Sequence, residues 1–453
     1  MKKSRFLFYA IVLIWLGCDT IEESVSTNPS LQLTFSTDTV SFDTLLSEKK
    51  SSTRRLSVYN PNNSAINLSS VFLNGGQNSD YSLIINGKSK LRVENEIILG
   101  GDSILILIDV NVTERDIDLP YLVSDEIVFE WNGNVDDVKL VSYGQDGIRF
   151  SNRSVCTEIW TNDRPYILSG TLLVGEGCEL TIEEGTRIYF ENDAALFIRG
   201  KLTALGDPMN RITFTNSRFD GIFDQVPGQW NGIYFLEGSH DNKISYADIF
   251  NAQVGLRVGT PDDNNDPDLI VANTRIYNMS NDGILAFTSD INVSNCLIYN
   301  CGRYLVGNFA GGNYNYTHCT ISNDQSLFIS EEEFVQFSDN LILEDGQILS
   351  EDLSVSLVNN IIWGSGDNEL VVRDRGEARA TVSLHSNIIR STSEIENNFT
   401  STAFNFPGFN ADYTLDTLAF AKDKGIKTDL LDDIVGNQRD DKPDIGAFER
   451  IEN

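Results

Sequence analysis

Histidine, cysteine and positive charge are all scarce in this sequence, and each shortage removes a class of function. The three histidines, His240, His318 and His385, are isolated from one another, and none lies in a Gly-His-Gly phrase. No His-centred catalytic cluster is therefore legible. Six cysteines occur, none in a Cys-x-x-Cys spacing, so a structural zinc site has no support. Lys and Arg number 34 against 66 Asp and Glu, which gives a formal net charge of −32 and a pI near 4.3. Such a surface repels phosphate backbones, which argues against nucleic acid as a partner. The apolar run from Phe6 to Leu16 is too short for the ~20 residues a membrane-spanning helix needs.

What is present is a repeat. Between Lys243 and Arg390 a short phrase recurs, ending at Ile249, Ile276, Ile298, Ile321, Ile342, Ile362 and Ile389. The gaps are 27, 22, 23, 21, 20 and 27 residues, with no helical pattern inside them. A period just above 20 built from alternating strands predicts a solenoid, because one coil cannot bury its own apolar stripe. Stacked coils place parallel strands ~4.8 Å apart and align equivalent residues. Two places before each Ile stand Ala247, Thr274, Cys296, Cys319, Asn340, Asn360 and Asn387. The expected register makes Asn340, Asn360 and Asn387 an amide ladder, with Cys296 and Cys319 in the same file. The pattern resembles the right-handed parallel β-helix proteins, a likeness specific for fold and silent on activity.

Residues 1–18 read as a targeting segment: Lys2, Lys3 and Arg5, then the apolar run, then Leu16-Gly17-Cys18. This ending resembles the lipobox of bacterial lipoproteins, which implies that Cys18 is lipidated and anchors the chain in the outer membrane. Residues 19–30 form an acidic tether similar to the surface-export signals of bacterial lipoproteins, implying display at the cell surface. Residues 31–146 carry seven strand-like runs separated by turns such as Asn86-Gly87 and Asn132-Gly133, which predicts a β-sandwich. Leu56-Ser-Val-Tyr-Asn60, Leu99-Gly-Gly-Asp-Ser103 and Asp125-Glu-Ile-Val-Phe129 resemble the Ig-like domains related to abnormal-spindle and hydin repeats, which serve mostly as spacers or adhesive modules. Residues 147–453 form the solenoid. The stretch Gly436–Glu449 resembles the closing sequence of bacterial surface β-helix proteins, and its expected role is to cap the last coil's strand edges. The fold class expected is all-β, an Ig-like sandwich followed by a right-handed parallel β-helix.

Candidate sites are few. Cys156, Cys178, Cys296, Cys301 and Cys319 remain after Cys18, and buried reduced thiols are the preferred reading. Arg373, Arg375 and Arg379, near Asp374 and Glu377, could serve a lyase as base, but the segment reads better as a solvated loop. Asp262, Asn264, Asp266 and Asp268 alternate as in calcium loops, while Pro267 and Asn273 depart from the EF-hand pattern. Calcium is thus the one candidate cofactor, and no residue is assigned to catalysis. The expected function is a non-catalytic lipoprotein whose rigid rod binds an envelope protein or a glycan. The alternative is a polysaccharide lyase or glycoside hydrolase.

Overall fold

The computed structural model describes residues 24–219, 221–259, 266–326, 328, 333–376 and 378–451. They fall into two compact units, one ending at Gln145 and the other beginning at Asp146. Nearly every regular element is a strand.

The first unit is a two-sheet sandwich. One sheet contains Ala65–Leu73, Tyr121–Trp131 and Asn134–Gln145, and the other Arg54–Tyr59, Ser103–Val110 and Tyr81–Ile85. Alternation puts Leu56, Val58, Ile106, Ile108, Ile127 and Phe129 into the space between them, where all are buried. Each such side chain contributes about 1.5–3 kcal/mol of burial. Tyr121–Trp131 and Asn134–Gln145 are joined by Asn132-Gly133, both with positive φ (46° and 85°). That geometry suits the twist of a two-residue hairpin and favours this residue pair.

The second unit is a parallel β-helix whose coils stack three files of short strands. On the first face Leu196 lies beside Ile233, then Leu256, Ile284, Val306 and Val335 in register. On the third face the order is Phe214, Ile249, Ile276, Ile298, Ile321, Ile362 and Ile389. All of these inward side chains but Ile389 belong to one continuous core. Between the second and third faces the chain bends through a single left-handed residue, successively Asn273, Asn295, His318, Asn359, Ser386 and Asn397. Asn is enriched there because its short polar side chain tolerates positive φ.

Three expectations need correction. Ile342 is not part of the inner file: Thr320–Ser322 pairs directly with Ile361–Trp363, and Asn340–Ile342 turns back in an antiparallel hairpin with Ile348–Ser350. Ile342 is accordingly 53% exposed. Cys156 and Cys178 are joined in a disulfide, whereas Cys296, Cys301 and Cys319 are free and buried.

The third correction concerns the C-terminal stretch, which does not cover the end of the last coil. It runs lengthwise along the third face. Asn295 Nδ2 donates to Asp432 O (2.7 Å), the Gly446 amide to Asn359 O (2.8 Å), and Arg211 Nη1 to Ile434 O (3.4 Å). The reason is on that face: Leu297, Ile361, Trp363 and Ile388 point outward, and Phe409, Leu415, Ile434, Ile445 and Phe448 cover them. Without the cover, an apolar stripe would stand in water.

Candidate functional site

On the third face, beside the part that the C-terminal stretch covers, outward aromatic residues align. Phe250 pairs in register with Tyr277, and Tyr277 with Tyr299. Their ring centroids are 4.8 and 4.9 Å apart with planes within 6° of parallel, and Tyr413 closes the row 5.0 Å from Tyr299. A spacing wider than van der Waals contact between parallel faces means the rings are offset, so part of each half-buried face of Phe250, Tyr277 and Tyr299 is left uncovered by its neighbour, while Tyr413 is buried. Burial raises the phenols of Tyr277 and Tyr299, the latter to about 12, so both are neutral donors.

Polar side chains flank the row. Arg211 is locked by Ala247 O and Asn273 O (2.8 Å each) and reaches Asp248 at 3.0 Å; Arg275 lies 3.8 Å from the same carboxylate. The C-terminal stretch supplies a wall, enclosing a cleft of about 710 Å³ lined by Arg275, Tyr277, Tyr299, Asp412, Tyr413 and Glu449 among others. The Thr414 hydroxyl, 2.5 Å away, holds the Asp412 carboxyl below its usual range. Glu449 is shifted the other way, raised by burial. A ladder of asparagines braces the far rim. Asn251 donates to Asn216 Oδ1 (2.7 Å) and Asp224 O (2.8 Å), and Asn278 to Asn251 Oδ1 (3.2 Å) and Gln225 O (3.1 Å). Asn300 continues the file onto Asn278.

This ladder and the aromatic row are absent from the sequence reading. Their signal was in plain view as Ile249-Phe-Asn251, Ile276-Tyr-Asn278 and Ile298-Tyr-Asn300.

The anticipated ladder exists in altered form. Asn360 Nδ2 donates to Asn387 Oδ1 (3.0 Å), Asn387 Nδ2 to Asn398 Oδ1 (2.8 Å), and Asn360 Oδ1 accepts the Cys319 amide (2.8 Å). Asn340 is not a rung: its side chain pairs with the neighbouring Ser338 hydroxyl in the hairpin excursion. Asn398 takes the third place.

Of the calcium-loop residues, Asp262 and Asn264 lie outside the described residues, as does Cys18. Asp266 is exposed. Asp268 Oδ2 accepts the Asp290 amide at 2.8 Å, a strap between coils. Among the described residues no three His, Cys, Asp or Glu side chains gather as a metal site. Arg373, Arg375 and Arg379 are exposed near the last coil, away from the aromatic row. His240 sits at the surface beside Asp241 (3.1 Å), and His318 is buried against Asn359 (2.8 Å).

No protein-family model matches the chain, and no curated protein does. Among solved structures it is similar to pectate lyase Pel9A, at 12% identity over 68% of this chain and 88% of that one, with a TM-score of 0.32. It is also similar to the catalytic unit of a thermostable GH87 α-1,3-glucanase from Streptomyces thermodiastaticus strain HF3-3, at 13% identity, 77% and 76% coverage and a TM-score of 0.26. A third likeness, to the Vibrio cholerae VesB protease, has 13% identity and a TM-score of 0.18, and covers 25% of this chain and 31% of that one. The chain thus spans about a third of that protease. Likeness at this level carries no argument about activity.

Proposed function

We propose that this chain holds a polysaccharide against the aromatic row of its β-helix. Lipid at Cys18 anchors it in the outer membrane at the cell surface, with the N-terminal sandwich, read as Ig-like, acting as spacer. The observation that carries the reading is that Tyr277 and Tyr299, continued in register by Phe250, line a cleft together with Tyr413, Arg275 and Asp412. Sugar rings present apolar C–H faces edged by hydroxyls. A stepped aromatic strip takes the faces, and rigid charged groups take the hydroxyls. Because the strip is built into the coils, little ordering cost is incurred on binding.

A second reading, hydrolysis of the bound glycan, has one observation in its favour. Asp412 and Glu449 line the same cleft with carboxyls pushed in opposite directions. Glu449 is itself held by Arg439 and the Asp444 amide, so Asp412 is the carboxylate this reading rests on.

Binding to a panel of neutral and acidic glycans tests both. Tyr277→Ala and Tyr299→Ala should each weaken binding about tenfold, the loss of one stacked ring at ~1.4 kcal/mol. Unchanged affinity in both variants would refute the groove. Release of reducing ends that stops in Asp412→Asn would establish the second reading over simple holding.

A further inference from the structure

The charges around the cleft beside Tyr277 and Tyr299 restrict which glycan it can take. Two cations, Arg275 and Arg450, and two anions, Asp412 and Glu449, line it, so the lining has no surplus positive charge. The groups packed behind them do not change the sign. Arg211 and Arg275 share Asp248, at 3.0 and 3.8 Å, and Arg439 pairs with Glu449 at 3.1 Å. Asp433 and Asp444 are buried in the same wall, where they accept the amides of Glu449 and Arg450. Among these groups four guanidiniums meet five carboxylates.

Access favours the negative groups further. Asp412 is exposed, and its Oδ1 accepts the Thr414 amide at 3.2 Å and the Thr414 hydroxyl at 2.5 Å, which keeps the carboxyl ionised. The cations are less open. Arg275 is half-buried beside Asp248, and Arg450 is half-buried with Nη1 donating to Leu415 O at 3.2 Å. A sugar hydroxyl both donates and accepts, so it can bond to Asp412 and to Arg275 alike. A sugar carboxylate only accepts. It is repelled by Asp412, and each lining guanidinium is already held by a carboxylate or a carbonyl. The chain's net charge of −32 adds repulsion at longer range. A bridging divalent cation could reconcile two acidic surfaces, but among the described residues no three His, Cys, Asp or Glu side chains gather to hold one.

On the reading that this cleft holds a polysaccharide, we infer that the polymer is neutral, built of sugars without uronate, sulfate or phosphate groups. Asp412 is the selective group. It accepts hydroxyl hydrogens from a neutral sugar and turns away an anionic one, while Arg275 donates to a hydroxyl or ring oxygen. The discrimination comes from penalising the charged competitor, and it needs no contact beyond those a neutral chain already makes.

The test uses the full chain, a panel of neutral glycans, and several α- and β-linked uronate polymers, each beside its carboxyl-reduced form. Each such pair differs in charge and not in linkage. Neutral glycans should bind, and a reduced form should bind about tenfold or more tightly than its parent, with the gap shrinking as salt rises. Asp412→Asn should narrow the gap by raising affinity for the parent. Asp345→Asn, which removes an equal charge in the exposed hairpin Asn340–Ser350, should leave it unchanged. A parent bound as tightly as its reduced form, and weakened by Tyr277→Ala and Tyr299→Ala, would overturn neutrality while leaving the cleft a glycan site. Calcium that restores the parent's affinity through the same tyrosines would overturn it too, since a bridging cation would then recognise the acid. Binding to no glycan at all, or binding that neither tyrosine variant weakens, would instead remove the glycan site itself and neutrality with it.

Discussion

Arg439 and Glu449 meet at 3.1 Å with only 2% and 6% of their side chains exposed. The same guanidinium reaches out of the C-terminal stretch to Asn295 Oδ1 at 3.0 Å, so the pair pins that stretch to the bend file of the β-helix. Glu449→Gln would leave Arg439 buried with its nearest counter-charge gone, at a cost of about 3–5 kcal/mol. Thermal melts should show a large downward shift. Lys427→Gln, which breaks the exposed pair with Asp441, is the control and should show none.

The amide ladder predicts a contrast between two asparagines that look alike in sequence. Asn360 is fully buried and serves Cys319, Tyr316 and Asn387, whereas Asn340 has the Ser338 hydroxyl as its side-chain partner. Asn360→Leu should cost about 1–3 kcal/mol for each buried group left unmatched, and Asn340→Leu much less. Equal midpoints in urea for the two variants would contradict this account.

Stability should also fall with acid in a defined window. Burial, reinforced by Arg439, pushes the His318 imidazole from 6.5 down to about 3. Folded His318 therefore stays neutral where the unfolded chain takes up a proton. Its contribution is complete above pH 6.5 and shrinks as the pH falls toward about 3. Asp444 and Glu449, raised by burial, act in the opposite direction, since their advantage fades as pH rises. Both remain in His318→Gln, so the difference between the two pH–stability curves isolates the histidine. The variant should lose less stability across the window.

Anchoring is testable outside the described residues. Cys18→Ser should move the protein from the membrane to the soluble fraction or leave its precursor uncleaved. Unchanged fractionation would remove the lipid from the account.

The sequence exposed most of the solenoid because burial repeats: Ile249, Ile276, Ile298, Ile321, Ile362 and Ile389 face inward wherever a coil closes. It misled at Ile342, because the hairpin around it happens to span one coil's length. Spacing cannot distinguish a coil from an excursion of equal size; backbone pairing can. The groove was harder to read. Tyr277 and Tyr299 occur on different coils and become a row only once the register is fixed. Its other wall comes from residues 410–415, in a stretch without period whose docking place nothing local specifies.

That lengthwise stretch also changes how the rod should melt. A solenoid held by neighbour-to-neighbour contacts can fray from its ends, one repeat at a time. Here residues 432–447 touch coils as far apart as those carrying Arg211, Asn295, Thr320 and Asn359. Fraying any one of these coils must strip the stretch from the others. The middle of the rod thereby behaves as one cooperative block, and hydrogen exchange should report a single opening energy across it rather than a gradient.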